Sequence, residues 1–285
     1  MINESQEIRI DALLPAEMAV RAEQIGVRKS ALPFWTVLTL SVLAGAFISM
    51  GAIFATTVAG GLSGVVPYGI ARLLIGLAFC LGLILVVVGG AELFTGNNLI
   101  VMAWASGKVS TFALARNWTI VYFGNLSGSL GTALLMFMSR QYTFGGGAVG
   151  VAALNIANGK VQLGWVQAVF LGILCNVLVC LAVWMTYSAR STLDKIAAII
   201  FPISAFVAAS FEHSVANMYY MPIALLIKEY DPAFTQSTGI ALENLTWPNF
   251  IVNNLIPVTI GNMIGGALLV AIVYWFIFLR HTSKE

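Results

Sequence analysis

Two ionisable residues stand side by side within a long apolar run, Glu212 and His213 in the segment ASFEHSVANM (209–218). Ionisable side chains are costly inside a membrane and therefore mark candidate functional sites there. A neutral imidazole can donate a hydrogen bond to an anion, and imidazole also titrates near physiological pH. His213 therefore predicts a site that binds a small weak-acid anion or passes a proton to it. The other histidine, His281, lies close to the end of the chain, so His213 is the one histidine within the apolar runs.

The same polar pattern is found in the first half of the chain. The segment GGAELFTGNN (89–98) places a glutamate five residues before an asparagine, as the segment around His213 does. Each is followed by a segment that contains Gly-Asn, namely YFGNLSGS (122–129) and TIGNMIGG (259–266). The repeated polar residues are Glu92, Asn97 and Asn125 in the first half and Glu212, Asn217 and Asn262 in the second. This match predicts an internal repeat.

The composition is that of an integral membrane protein. Of the 285 residues, 59% are hydrophobic and 9% are charged, and the mean hydropathy is +0.91. Several uncharged runs reach the ~20 residues that are needed to cross ~30 Å of hydrocarbon. Cys80, Cys175 and Cys180 lie in apolar segments without the spacing of metal ligands. We therefore expect neither disulfides nor a metal site, and we predict no cofactor.

Uncharged runs predict six spans, of which the second and the fifth are broken in the middle. The second part of each broken span is too short to cross a bilayer by itself, so each pair of runs is interpreted as one discontinuous span. The broken spans are 73–91 with 93–107, separated by Glu92, and 196–211 with 214–227, separated by Glu212-His213. The unbroken spans are 33–59, 117–139, 161–189 and 244–279.

The distribution of basic residues predicts the topology. With both termini in the cytoplasm, ten of the fourteen lysines and arginines lie on the cytoplasmic side, as the positive-inside rule favours. The two halves of three spans then cross the membrane in opposite directions, which makes a 3+3 inverted repeat. Helices interrupted at matching positions of such halves indicate a transport path. We predict an all-α transmembrane channel domain over 32–280, preceded by an amphipathic cytoplasmic segment (1–31) and followed by a cytoplasmic tail (281–285).

The amino-terminal segment LLPAEMAVRAEQIG predicts a short amphipathic helix. Pro15 suits the first turn of a helix, and Leu14, Met18, Ala22 and Ile25 are expected on one face. One interpretation is an interfacial helix that lies on the inner leaflet. The alternative is a cytoplasmic plug or gate.

A loop inside the membrane must be buried in protein or line a cavity, because lipid cannot satisfy its peptide groups. The N-terminus of a broken helix offers free N–H groups and partial positive charge to an anion. Glu92 and Glu212 have two interpretations in this setting. They are structural acceptors for loop amides and asparagine side chains, or they are proton carriers.

Five motifs resemble those of the formate/nitrite transporter family, with the formate channel branch the most similar: GAELFTGN, YFGNLSGS, LGILCNVLVCLAVWM, FEHSVANM and NLIPVTIGN. The resemblance extends over essentially the whole chain. It implies an aquaporin-like fold of six spans, a separate pore in each subunit of a homopentamer, and passage of formate or a similar small anion across a bacterial inner membrane. GAELFTGN also resembles the nitrite branch, so a nitrite channel stays open as an alternative.

The resemblance also implies roles for individual residues. His213 matches the central pore histidine, and Thr95 matches a loop threonine that hydrogen-bonds it or the substrate. Leu83 and Phe206 match a periplasmic apolar constriction, and Leu93 and Val179 match a cytoplasmic one. Phe79 is a further pore candidate. Asn176 and Lys160 match polar positions near the outer mouth, and Lys29 matches a basic residue near the inner mouth. Without the resemblance, the apolar residues would be interpreted as ordinary packing and Lys160 as a solvated loop charge.

Two other classes of function are alternatives to an anion channel. An aquaporin-like channel for neutral solutes normally carries paired Asn-Pro-Ala motifs, which this sequence lacks. A membrane enzyme could use Glu212 and His213 as an acid–base pair. We find no HExxH motif, no glycine-rich phosphate loop and no soluble domain to support such chemistry. We therefore predict no enzymatic activity and no nucleic-acid partner.

Overall fold

The computed structural model describes residues 12–62 and 64–280, and within these ranges the protein is all-α. Residues 1–11 of the predicted amino-terminal segment and the whole predicted tail, 281–285, lie outside the described residues. The α-helices are α1 (Pro15–Ser30), α2 (Phe34–Ala59), α3 (Tyr68–Gly89), α4 (Val101–Ala105), α5 (Thr111–Met138), α6 (Ala148–Val161), α7 (Trp165–Thr186), α8 (Thr192–Ala208), α9 (Ser214–Tyr230), α10 (Pro232–Ser237) and α11 (Trp247–Phe278). Short 3₁₀ helices occupy Gly96–Ile100 and Gln141–Thr143.

Among the described residues, five helices are long and apolar enough to cross a membrane: α2, α3, α5, α7 and α11. Their bounds lie close to the predicted spans, because long uncharged runs are reliable signals of membrane helices. The protein is therefore a multi-pass membrane protein. Helix α11 contains two π-helical stretches, at Phe250–Leu255 and Ile264–Ile272, but its axis continues through both.

Two helical elements are discontinuous in the described part of the chain. Helix α3 ends where Gly90 turns into the left-handed region at φ 81°, and helical structure resumes at Gly96–Ile100 and continues into α4. Helix α8 ends before Ser210, which has φ 60°, and α9 begins at Ser214. The non-helical loops 90–95 and 209–213 contain Glu92 and Glu212-His213, where the sequence predicts the breaks.

Helix α6 was missed by the sequence analysis. The span predicted at 161–189 begins later, at Trp165, and the preceding residues form α6, which packs against α9 and α2. Its inward face is buried at Val149, Ala153, Leu154, Ala157 and Val161. The interpretation of Lys160 as a solvated loop charge is wrong, because α6 holds this residue with its side chain only 15% exposed.

Helix α1 begins at Pro15 as expected, and one of its faces packs on the rest of the helical domain. Its buried stripe runs along Met18, Ala22 and Gly26, and Gly26 lies against Ile100 and Ala103 at the start of α4. Leu14, predicted on the buried face, is 54% exposed, because the stripe that contacts α4 starts one turn later. The described part of the amino-terminal segment is thus an integral part of the helical domain.

Glycines permit the close approach of the membrane helices. A Cβ atom on Gly128 of α5 would overlap the carbonyl oxygen of Val42 in α2, and a Cβ atom on Gly261 of α11 would overlap that of Val169 in α7. Without a hydrophobic driving force between helices in lipid, such small residues allow the van der Waals contact that holds the helices together.

We expect Gly128→Ala to destabilise the protein by about 1–3 kcal/mol, the usual cost of overpacking. The measurement is thermal unfolding in detergent. Gly131→Ala is the matched control on the same helix, because nothing lies within 4 Å of a Cβ atom there. Equal melting temperatures for the two variants would contradict the close approach of α2 and α5.

Candidate functional site

The loop after α3 is held by one asparagine of α5. Asn125 accepts a hydrogen bond from the backbone N–H of Phe94 (2.9 Å) and donates to the carbonyl oxygens of Glu92 (2.9 Å) and Ser41 (2.8 Å). The backbone N–H of Glu92 donates to Leu40 of α2 (3.2 Å). A fully buried amide side chain thus replaces the helical hydrogen bonds that the loop lacks.

The loop after α8 is held in the same way by α11. Asn262 accepts from the backbone N–H of Ser214 (2.9 Å) and donates to the carbonyl oxygens of Glu212 (2.9 Å) and Gly172 (2.8 Å). The backbone N–H of Glu212 donates to Leu171 of α7 (3.3 Å). The asparagines of the two Gly-Asn motifs therefore make equivalent hydrogen bonds to the two loops.

Each loop glutamate forms a closed network with one lysine and asparagine side chains. Glu92 pairs with Lys29 of α1 (3.1 Å) and accepts from Asn97 (2.7 Å), whose amide group also donates to Asn117 (3.0 Å). Lys29 also donates to Asn97 (2.8 Å). Glu92 as a whole residue is 5% exposed, and Lys29 balances the negative charge of its carboxylate.

Glu212 has matching partners. It pairs with Lys160 of α6 (2.7 Å) and accepts from Asn217 (2.7 Å) and Asn254 (3.2 Å). Asn217 also donates to Asn254 (2.7 Å), as Asn97 does to its own partner.

Asn117 and Asn254 are site residues that the sequence analysis missed. Both are buried, and each lies eight residues before the asparagine that holds its loop, Asn125 or Asn262. That common spacing was the available signal. A further contact joins the two helices directly: Tyr122 and Thr259, each three residues before its asparagine, form a hydrogen bond of 3.0 Å.

His213 is held at the N-terminus of α9 by its own ring. Its Nδ1 accepts a hydrogen bond from the backbone N–H of Ala216 (3.0 Å), so this nitrogen carries no proton. The proton of the neutral imidazole then resides on Nε2, which lies 3.0 Å from Oγ1 of Thr95 in the other loop. The ring also stacks on Phe206 (centroids 5.9 Å apart), which packs edge-on against Phe79 (5.7 Å).

Two cavities border the two non-helical loops. The first, the α1 cavity, has a volume of about 280 Å³ and is lined by residues that include Arg21, Arg28, Lys29, Leu83, Leu93 and Lys195. The second, the Lys160 cavity, has a volume of about 500 Å³ and is lined by residues that include Arg72, Phe79, Lys160, Phe206, Glu212 and His213. Each non-helical loop thus borders a different cavity. Thr95 is fully buried and lines neither cavity, but its hydroxyl contacts Nε2 of His213, which lines the Lys160 cavity.

Two of the expected placements differ from the structure. The resemblance groups Leu83 with Phe206, but Leu83 lines the α1 cavity with Leu93, and Phe79 accompanies Phe206 instead. One helical turn of α3 separates Phe79 from Leu83, which is enough to move a side chain from one cavity to the other. The structure thus groups Leu83 with Leu93 rather than with Phe206.

Asn176 is not at a mouth. It is fully buried in α7, where its amide group donates to the carbonyl oxygens of Asn262 (2.7 Å) and Thr95 (3.3 Å). Val179, one turn further along, is 1% exposed and borders neither cavity. Within the described ranges, no three His, Cys, Asp or Glu side chains come together in the way that a metal site requires.

The chain is similar in sequence to known transport proteins. A family model described as formate/nitrite transporter matches residues 16–276. Formate channel FocA of Escherichia coli (strain K12) is 49% identical over 279 residues, which cover 96% of this chain and 98% of that protein. Formate channel FocA of Haemophilus influenzae is 38% identical over 289 residues, which cover 100% and 99% of the two chains.

The fold is also similar to that of a solved structure. A pentameric formate channel with formate bound matches with a TM-score of 0.81 and 47% sequence identity, covering 87% of this chain and 98% of that one. The family match extends from α1 into α11 and includes both non-helical loops. The chain therefore belongs to the formate/nitrite transporter family.

Proposed function

We propose that this protein is a channel for small monovalent anions and that formate is its substrate. The observation that carries the proposal is the buried hydrogen bond between Thr95 and His213, which joins the loop at the α1 cavity to the loop at the Lys160 cavity. The names of the similar proteins, formate channels in two bacteria and a solved channel with formate bound, support formate as the ion.

The proposed path runs from the Lys160 cavity to the α1 cavity. Lys160 and Lys29 attract the anion at the two ends. Phe79 and Phe206 form an apolar constriction on one side of His213, and Leu83, Leu93 and Val179 form one on the other. Asn176 is a positioning residue, because it holds the carbonyl group of Thr95 (3.3 Å).

At the midpoint, protein donors replace the hydration of the anion. Moving a bare ion from water into hydrocarbon costs on the order of 20 kcal/mol by Born solvation before relaxation. The hydroxyl of Thr95 can rotate away from His213, which frees the Nε2–H group for the anion without a change of the backbone or of the capped ring. In this role His213 donates a hydrogen bond.

His213 is less suited to transfer its proton. Loss of the Nε2 proton would leave an imidazolate unless Nδ1 gained a proton, and Nδ1 already accepts from Ala216. Protonation of Nδ1 would therefore break the cap of α9. The geometry supports passive passage of the anion past a neutral donor over proton coupling through this ring.

We propose that Glu92 and Glu212 are structural rather than proton carriers. Each carboxylate is matched by a lysine and by asparagine amides, and each is at most 5% exposed. A proton on either carboxylate would leave the lysine charge unbalanced inside the protein.

We propose a topology of six spans in a 3+3 inverted repeat, with an aquaporin-like arrangement of the two broken spans, α3 with α4 and α8 with α9. The support is the repetition of the contacts: a buried asparagine holds each loop, and a Lys–Glu–Asn–Asn network closes each end. The basic residues favour both termini in the cytoplasm and α1 as the cytoplasmic end. This is the topology that we propose for a bacterial inner membrane.

We further propose a homopentamer with one pore in each subunit. The support is the similar solved channel, which is a pentamer. Large apolar side chains on the outer faces of the helices, such as Leu135 (71% exposed) and Phe201 (81%), are compatible with lipid and with neighbouring subunits.

The function is tested by solute uptake into liposomes that contain the purified protein. We expect rapid uptake of formate, slower uptake of nitrite and no uptake of glycerol, because the site offers hydrogen-bond donors to an anion. Liposomes without protein are the control. Faster uptake of nitrite would assign the protein to the alternative ion, and uptake of glycerol at the formate rate would contradict an anion channel.

Two substitutions separate the roles of His213. His213→Asn keeps a side-chain acceptor for the cap of α9, whereas His213→Phe removes it. We expect both variants to lower formate uptake by about tenfold or more, the scale of one hydrogen bond to a charged group, and we expect only His213→Phe to lower the melting temperature. Uptake by His213→Asn at the wild-type rate and with the wild-type pH profile would remove the ring from the mechanism.

Glu212→Gln tests the structural interpretation of the glutamates. The amide group would face the ammonium group of Lys160, and we expect a loss of stability of about 3 kcal/mol, as when one partner of a buried pair is removed. Glu229→Gln, at an exposed position, is the matched control. Combining Glu212→Gln with Lys160→Met should restore part of the melting temperature. A variant of full stability with an altered pH profile of uptake would favour a proton carrier instead.

A further inference from the structure

The α1 cavity carries an excess of positive charge. Four cationic side chains line it, Arg21, Arg28, Lys29 and Lys195, and among its described lining residues the single carboxylate is Glu92. The pair between Lys29 and Glu92 accounts for one positive and one negative charge. Three positive charges are then left without a carboxylate in the cavity.

Two neighbouring carboxylates, those of Glu23 and Asp194, do not supply a negative charge to the cavity. Glu23 of α1 is buried and pairs with Lys108. Asp194 accepts from the backbone N–H groups of Ser191 and Arg190, where it caps the start of α8. Both groups point to other partners and not into the cavity.

Two of the excess cations have no partner in the part of the chain that the structure describes. Arg21 donates to the carbonyl oxygen of Tyr187 (3.0 Å), but Arg28 and Lys195 form no hydrogen bond or ion pair with a described residue. They belong to different helices, α1 and α8, on the border of one cavity. A ligand with several acceptor oxygens could therefore contact both.

The Lys160 cavity is different. Lys160 is paired with Glu212 (2.7 Å), and the guanidinium group of Arg72 donates to the carbonyl groups of Val207 and Ala208 at the end of α8. Its cations are thus engaged with protein groups, and the two ends of the proposed path differ in charge.

From these observations we infer that the α1 cavity is a binding site for a multivalent tetrahedral oxyanion, which blocks the passage of monovalent anions. This inference depends on the proposed function, since it assigns a blocker to the same channel. Conduction requires that the permeating ion bind weakly enough to leave. A divalent ion gains about twice the attraction from Arg28 and Lys195 that a monovalent one does.

The blocker cannot follow the permeating ion. Born solvation energy grows with the square of the charge, so a dianion meets about four times the desolvation cost of formate at Leu83 and Leu93. The cavity volume, about 280 Å³, has room for such an ion with part of its hydration shell. The cations hold the dianion in the α1 cavity, and the desolvation cost keeps it from passing Leu83 and Leu93. The dianion therefore blocks the path.

The same chemistry has two sources, a free oxyanion in solution or the phosphate group of an anionic lipid. Arg28 is exposed beside the cavity, so we expect both headgroups and solutes to reach it. Sulfate is the appropriate probe for the first source, because it is divalent across the neutral pH range and does not buffer. Vesicles of phosphatidylcholine with added phosphatidic acid probe the second.

The experiment measures formate uptake into phosphatidylcholine liposomes as chloride is exchanged for sulfate on both sides at constant ionic strength. We expect sulfate to inhibit uptake, and we expect Arg28→Gln and Lys195→Gln each to raise the half-inhibitory concentration about fivefold, the scale of one charge contact near water. Each rate is normalised to that variant's rate in chloride. Arg116→Gln is the matched control, because it removes a charge near Leu32 that does not line the cavity.

Inhibition by sulfate that is weakened by both cavity substitutions, but not by Arg116→Gln, supports a site for a free oxyanion. Inhibition that is found only with phosphatidic acid, and is weakened by the same two substitutions, supports a headgroup site. Uptake of formate that neither sulfate nor phosphatidic acid slows, or slowing that is equal in all variants, would overturn the inference. Absence of formate uptake in chloride would overturn the proposed function instead.

Discussion

The constraint on which the whole structure depends is the need of interrupted helices for hydrogen-bond partners inside a membrane. The loops 90–95 and 209–213 expose peptide groups that lipid cannot satisfy. Asn125 and Asn262 meet this need with the same three hydrogen bonds each. Since each amide also bonds to a second transmembrane helix, the loops are fixed to α2 and α7, and the side chains between them are held at defined positions.

The arrangement of charges follows from this backbone. The loops carry Glu92 and Glu212 into the protein, and each carboxylate needs a cation. The cations come from helices that are not part of the broken spans, Lys29 from α1 and Lys160 from α6. The two ends of the proposed path are thereby closed by elements of different origin. The α1 end holds additional unpaired cations, so its charge differs from that of the other end even though the loops repeat.

Much of this architecture could be predicted from the sequence, because charge is rare in the chain and each charged residue inside an apolar run marks a discontinuity. The loops at Glu92 and Glu212 followed from that pattern, whereas the bonds of Asn125 and Asn262 to the loop backbone did not. Asn117 and Asn254 were missed because uncharged polar residues are common on the inner faces of helices, and α6 was missed because its apolar residues are small. Linear spacing does not predict which cavity Leu83 borders or which ring nitrogen of His213 carries the proton, because both are decided by packing in three dimensions.

The hydrogen bond between Tyr122 and Thr259 joins equivalent positions of the two proposed repeats. Any residue on a twofold axis of two identical halves would meet its own copy, large against large or small against small. A single fused chain escapes that restriction and can set a large ring against a short hydroxyl side chain. Two similar halves within one chain can therefore pack a tighter centre than a symmetric dimer can form.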